Sequence, residues 1–387
     1  MQHDRQITIS AAGSRKATQW PAQQLWWSEF VARLATPVRG TETLAEYLRL
    51  PKSQQDNLKD VGGFVGGRLS GVRRKAANMA GRDLLTLDLD NIPAEGTQDV
   101  LRAVDGLGCA YAVYSTRKHS PAAPRLRVIV PAGREMAVDE YEPVARKLAE
   151  LLGIERCDPS TFEPARLMYW PSCSCDSQYV YTYGDKPMLD VDGVLALYDD
   201  WHDITQWPQV PGTQQRAQRL LARQEDPTTK AGVVGAFCRL YDVRRAMDEL
   251  LPGVYAPCDN APDRYTYVGG STTGGAVVYD DGLYLYSHHA TDPCGGQLVN
   301  AFDLVRLHKF GAEDDDAKPG TPTPRLPSYV AMCQYAMEMD EVRSIVARER
   351  YERMREAFDG VPEEHEDDSW TAQLDVDANG GYRKTID

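Results

Sequence analysis

The 387-residue sequence predicts an α+β fold, and three observations carry that reading. Short apolar runs typical of strands interleave with helical patterns over the first 200 residues. A stretch rich in Pro, Gln, Thr and Arg then leads into a smaller α/β unit. A Pro-rich break, Lys318–Pro327, precedes one long charged helix. With 42% apolar and 26% charged residues, the chain has core enough for two or three domains and is not disordered as a whole.

In order, residues 1–60 read as mostly helical, with helical spacing around Trp26–Leu34 and again at Leu44–Leu50. A glycine-rich turn, Val61–Gly67, would let backbone approach a ligand closely. Strand signals follow at Leu84–Leu89, Ala110–Tyr114, Leu126–Val130 and Leu167–Trp170, with a helix at Glu140–Leu152. The first domain is expected over 1–200 and a linker over 201–230. An accessory unit, 231–311, opens with a helix at Gly232–Leu251 and continues as strands near Tyr265–Val268, Ala276–Tyr279 and Leu283–Tyr286. A linker (312–327), the charged helix (328–358, centred on Tyr329–Phe358) and an acidic linker (359–387) complete the expected organisation.

No run approaches the ~18 apolar residues of a membrane span, and the N-terminus lacks a secretory signal. Eight irregularly spaced cysteines are too sparse for a disulfide scaffold, so a reducing cytoplasm is expected. A net charge of −14 argues against a protein that coats polyanions generally. Two basic patches still stand out: Arg68, Arg73, Arg74, Lys75 and Arg82, then Arg117, Lys118, Arg125 and Arg127. The acidic excess lies in Asp314–Asp316 and in the tail after Asp359.

The segment Asp83–Asn91 is the most informative. On a strand, Leu85, Leu87 and Leu89 face one side while Thr86, Asp88 and Asp90 face the other. Carboxylates one pleat apart repel unless a cation lies between them, and all-oxygen ligands suit magnesium or manganese. The same pattern also occurs where a strand end dips into solvent. In Ser115–Pro131, Arg125 and Arg127 share one face, and with Lys118 and His119 they would suit a triphosphate; an exposed basic hairpin has the same look. In Cys157–Trp170, Asp158 offers a third carboxylate and Arg166 another phosphate contact, although Asp-Pro-Ser is also ordinary turn chemistry.

Taken in order, Asp88-x-Asp90, His119 in a Ser/Thr-rich loop before a strand, and Asp158 with Arg166 eight residues on resemble the three motifs of the archaeo-eukaryotic primase superfamily. More closely, the chain resembles the primase–polymerase half of phage and mobile-element replication proteins that carry a virulence-associated E helicase domain. The supporting strings are Lys59–Gly67, Leu84–Asp90, Pro124–Arg127, Phe162–Pro171 and Asn300–Arg306, within a resemblance spanning residues 10–311. It implies an RRM-like antiparallel sheet in a primase–polymerase catalytic domain over 1–200. The activity implied is template-dependent nucleotidyl transfer on single-stranded DNA from NTPs or dNTPs. Asp88, Asp90 and Asp158 would hold two Mg2+ or Mn2+ ions, with His119 in the catalytic set. Lys118, Arg125, Arg127 and Arg166 would bind the nucleotide, and Arg73, Arg74, Lys75 and Arg82 the template.

Two departures matter. The superfamily places its histidine directly before a strand, where Arg125-Leu-Arg127 stands here, so either His119 or Arg127 does that work. The chain also has no Gly-Lys dipeptide and hence no G-x-x-x-x-G-K-[ST] loop. Trp370–Asp387 resembles the start of the helicase, which is either truncated or a separate partner protein. In the accessory unit, Cys258, His288, His289 and Cys294 resemble a decayed zinc module of bacterial primases. No CxxC pair is present, Ala261 stands where the partner of Cys258 belongs, and structural zinc needs four ligands, so zinc is not expected there. Cys173-x-Cys175 reads as loop cysteines. Two other classes stay open. One is a catalytically silent DNA-binding module that recruits a helicase through the charged helix. The other is a metal-dependent nuclease, for which no tyrosine nucleophile or histidine cluster stands out.

Overall fold

A computed structural model describes residues 1–211, 224–258, 261–289, 291–318, 320–359, 374–376 and 382–384. The middle of the expected linker at 201–230 and most of the acidic tail at 359–387 lie outside the described residues.

The first elements are strands β1 (Gln6–Ala12) and β2 (Ala22–Trp26) and helix α1 (Trp27–Leu34). The expectation of a mostly helical start is therefore corrected. Residues Gln6–Ser10 alternate in two-residue steps, with Ile7 and Ile9 fully buried, and that period belongs to a strand. Next come β3 (Val38–Arg39), α2 (Leu44–Arg49) and α3 (Lys52–Leu58). Pro51 separates the two helices because it has no N–H to continue the first. Then follow β4 (Gly63–Val65), β5 (Gly67–Leu69), β6 (Met79–Leu89), α4 (Thr97–Asp105), β7 (Tyr111–Ser115), β8 (Leu126–Met136) and α5 (Val138–Leu152). The region closes with β9 (Met168–Tyr169), β10 (Ser172–Cys173), β11 (Tyr181–Gly184) and α6 (Val191–Leu195).

The central sheet has the order β11-β7-β8-β6-β5 and is antiparallel throughout. Its spine is the long β6–β8 pair, which runs from Arg82 opposite Met136 to Leu89 opposite Leu126. Leu85, Leu87 and Leu89 meet Val128, Val130 and the apolar faces of α4 and α5 (Val100, Val104, Val144, Leu148). Leu84, Ile129, Ala112 and Tyr114 face the other way, onto Ile7, Ile9, Trp27 and Phe30. Each such fully buried aliphatic side chain contributes about 1.5–3 kcal/mol of transfer energy. Both faces being covered, the polar groups at the ends of β6 and β8 are held on a stiff frame. A second antiparallel sheet, β2-β1-β4-β9, lies against it.

A separate core forms around α7 (Val233–Leu240), α8 (Val243–Leu250), strands β12 (Tyr255–Cys258), β13 (Ala261–Tyr267), β14 (Ala276–Tyr279), β15 (Tyr284–Ser287) and β16 (Leu298–Val299), and helices α9 (Ala301–Phe310), α10 (Pro327–Glu338) and α11 (Asp340–Asp359). These five strands form an antiparallel sheet in sequence order. The single helix expected at Gly232–Leu251 is two helices, because the Asp242 side chain caps a new one on the Arg245 N–H. The long charged helix is also two: Met339 is extended (φ −76°, ψ 121°), and α11 restarts at Asp340.

Candidate active site

The end of β6 and the start of β8 set the site. Asp88 and Arg127 are register partners on the same face of the sheet. Arg127 Nε and Nη2 donate to the two Asp88 carboxylate oxygens at 2.5 and 3.1 Å, and Nη1 donates to the Tyr114 hydroxyl and the Tyr169 carbonyl. Asp90, just past the strand, is fixed by its N–H to the Arg156 carbonyl, and its carboxylate accepts from Arg125 Nη1 at 2.6 Å. Asp158 is brought alongside by its own N–H, which donates to the Asp88 carbonyl. Its carboxylate caps Ser160 and lies 3.7 Å from Arg166. Three carboxylates from two chain segments thus converge on one cleft of about 250 Å3.

Burial pushes the Asp90 pKa up, Arg125 opposes the shift, and Asp88 and Asp158 add to it. These acids therefore repel one another across the cleft. Exposure separates them: the Asp90 and Asp158 side chains are 32% and 30% exposed, whereas Asp88 is 12% exposed under Arg127. The donors are all oxygen and fit magnesium or manganese. Asp90, paired with Arg125, and Asp158, near Arg166, are the more exposed carboxylates, and Asp88 is the buried one under Arg127.

The cleft is also lined by cations. Lys118 and Arg125 line it as expected, and Lys52 and Lys59 of the α2–α3 region join them. The Lys118 pKa is lowered, first by burial and then by Lys52, Arg125 and Lys59, which records the crowding of positive charge. Tyr47 and Tyr169 also line the cleft, with Lys59 over the Tyr169 ring. Sequence reasoning missed Lys52, Lys59 and Tyr47. The Lys59–Gly67 string was a signal for Lys59, yet only its glycines had a physical reading; Lys52 and Tyr47 carried no local signal.

Several expected site residues have other roles. His119 is 4% exposed and does not line the cleft. Its Nδ1 accepts the Arg125 N–H, and burial lowers its pKa, so a neutral ring pins the loop to the start of β8. Arg127 is a clamp on Asp88, with its donors engaged and little surface for a triphosphate. Arg117 pairs with Glu42 and lies over Tyr47. Arg82, expected on the template, is 0% exposed; it donates to the Leu84 and Pro164 carbonyls and to Thr86 and stacks on Tyr141. Arg74 is bound to the Ala165 carbonyl beside Trp20, and Arg68 pairs with Glu135. Arg73 and Lys75 meet the acidic run: Arg73 reaches the Ala317 carbonyl and Asp316, and Lys75 pairs with Asp315 at 2.6 Å.

The four residues that resembled a zinc module do not converge as one set. Cys258 lies beside Thr266, and both His289 ring nitrogens are used, by Thr272 and the Tyr267 N–H. Cys294 meets different partners, Asp292 and His308.

An antiparallel sheet thus carries a cleft lined by three carboxylates and several cations, and the comparisons give the family. Residues 1–210 match the model of the VapE N-terminal domain, so the chain belongs to that family. Among solved structures, the chain is similar to the AEP domain (PP-N190) of the cyanophage S-2L primase-polymerase (PrimPol). That likeness has 12% identity and a TM-score of 0.27, over 49% of this chain and 88% of that one. No curated protein matches the chain. No described helix is long and apolar enough to cross a membrane.

Proposed function

We propose that the chain is a DNA primase–polymerase, a template-dependent nucleotidyltransferase acting on single-stranded DNA during phage or mobile-element replication. The observation that carries this reading is the meeting of Asp88, Asp90 and Asp158 in one cleft that Lys52, Lys59, Lys118 and Arg125 also line. Carboxylates and cations lining one cleft match a nucleotide triphosphate bound with divalent ions. Asp90 and Asp158, with the more buried Asp88, would hold Mg2+ or Mn2+. Held by these carboxylates, such ions would supply charge stabilisation for an attacking 3′-hydroxyl and a leaving pyrophosphate. The lysines and Arg125 neutralise the phosphates, chiefly a positioning and electrostatic task. Arg127 orients Asp88, and His119 holds the loop that carries Lys118. A replicative helicase on a separate chain or segment is the expected partner.

The Arg127–Asp88 clamp favours a second reading, a DNA-binding module that recruits a helicase without chemistry, because it removes one acid from easy reach of a metal. Nucleotide binding separates the two. Titration of a fluorescent dNTP should give saturable binding strengthened by Mn2+ and weakened at least tenfold by Lys118→Ala with Lys52→Ala. Binding of single-stranded DNA with no nucleotide binding would instead support the recruiting module.

A further inference from the structure

The second core contains a cluster that the proposed function does not use. Tyr255 on β12, Asp292 and Cys294 in the turn between β15 and β16, and His308 on α9 bring their polar atoms to one point. Tyr255 Oη lies 2.7 Å from Asp292 Oδ2, 2.9 Å from His308 Nε2 and 3.4 Å from Cys294 Sγ. Asp292 Oδ1 lies 3.1 Å from Cys294 Sγ and 3.1 Å from His308 Nε2. Asp292 and Cys294 are 0% exposed, and the His308 side chain is 6% exposed. Among the described residues, Asp292, Cys294 and His308 form the one group of His, Cys, Asp and Glu ligand atoms all within 4.8 Å of one another.

Without a metal the cluster is held by hydrogen bonds centred on the Asp292 carboxylate. The Tyr255 hydroxyl, the Cys294 thiol and His308 Nε2 each bring at most a single hydrogen to the centre, and the Asp292 carboxylate brings none. That carboxylate also accepts the Cys294 N–H at 3.0 Å, and a hydrogen can be shared between two acceptors, so the groups are paired without an ion. What favours a cation is that a thiol, an imidazole, a carboxylate and a phenol meet at one buried point. The donor set of one sulfur, one imidazole nitrogen and two oxygens is that of a borderline ion, and four ligands complete a tetrahedron. Around zinc, such donors stand roughly 3.3–3.6 Å apart, so the cluster needs to open by only a few tenths of an ångström.

We infer that Tyr255, Asp292, Cys294 and His308 form a structural zinc site tying β12, the Asp292–Gly296 turn and α9 together. On binding, the Cys294 thiol releases its proton to solvent, and His308 presents Nε2 as the neutral Nδ1–H tautomer. Thiolate and carboxylate then balance the two charges of the ion, while Tyr255 remains a neutral phenol. The turn is close-packed: the Gly295 N–H donates to the Asp292 carbonyl, and a Cβ on Gly295 would lie 2.5 Å from the His289 carbonyl oxygen. The site shares only Cys294 with the set that sequence spacing offered.

The test is metal analysis of the full chain by plasma mass spectrometry, together with the optical spectrum after Co2+ replacement. The expected result is about one zinc per chain, unchanged by Asp90→Ala with Asp158→Ala. The Co2+ form should show tetrahedral d–d bands and a thiolate-to-cobalt charge-transfer band that Cys294→Ser abolishes. His308→Gln serves as the second variant if Cys294→Ser does not fold, and should lower zinc retention against a chelator at least tenfold. A folded, metal-free wild type that takes up neither Zn2+ nor Co2+ would overturn the inference. So would a charge-transfer band that survives in Cys294→Ser.

Discussion

At the scale of single residues, the arginines decide what the carboxylates can do. Arg127 and Asp88 are almost entirely buried as a bidentate pair, whereas Arg125 and Asp90 are each about a third exposed. Breaking a buried pair leaves an uncompensated charge and costs about 3–5 kcal/mol, whereas an exposed pair contributes about 0–1 kcal/mol. Arg127→Ala should therefore lower the denaturant midpoint severely, and Arg125→Ala should barely move it. Adding Asp88→Asn to Arg127→Ala should recover part of the loss by removing the stranded charge. Equal stability of the two arginine variants would show that Arg127 is not a clamp. At this scale the sequence could show which face of β6 carries Thr86 and Asp88 and which face of β8 carries Arg127, because two-residue periodicity decides that. Asp158 lies on a separate turn, where periodicity gives no such signal. Nor was the sequence legible for Arg82, which sits among basic neighbours in sequence yet is wrapped by backbone carbonyls. A string of cations looks the same whether or not the fold buries one of them.

At the scale of elements, the acidic turn after α9 has a specific neighbour. Composition shows only that part of the acidic excess lies at Asp314–Asp316; in the structure Asp315 and Asp316 face Lys75 and Arg73 across 240 and more residues of sequence. Any template groove using those cations is screened by this turn. Asp315→Asn with Asp316→Asn should strengthen binding of single-stranded DNA several-fold at low salt and steepen its salt dependence by about 0.7 log unit for each phosphate gained. Asp314 is left intact because it caps Ser328 at the start of α10 and lies near Arg306. A fluorescence-anisotropy titration over a salt series reads both effects, and unchanged affinity and slope would remove Arg73 and Lys75 from the template path. The helix breaks at Asp242 and Met339 belong to this scale too. Helical periodicity runs through both positions, and capping and packing, which periodicity does not report, stop the helix.

At the scale of the whole molecule, two cores with different polar interiors set stability. His289 is fully buried and neutral, its Nε2 accepting the Tyr267 N–H, and burial holds its pKa below the usual imidazole value of 6.5. Below pH 6.5 the unfolded chain binds this proton and the folded chain resists it, so stability present at and above pH 6.5 is lost as the pH falls. His289→Gln should flatten the slope of unfolding free energy against pH between 6.5 and 5, and an unchanged slope would place the acid sensitivity elsewhere. Strands β6, β7 and β8 of the central sheet could be anticipated because they are apolar runs, whereas β5 and β11 were not read as strands and the expected strand Leu167–Trp170 pairs in the other sheet as β9. The full basic lining of the cleft could not be anticipated, because Lys52 and Lys59 reach the cleft only when the α2–α3 region folds over the end of the sheet. The most direct measurement of the whole account is synthesis of labelled product on a single-stranded template with Mg2+ or Mn2+, comparing the wild type with Asp90→Ala and Asp158→Ala. The account predicts product from the wild type and a loss of at least a thousandfold in either folded variant. Undiminished synthesis by those variants would contradict it.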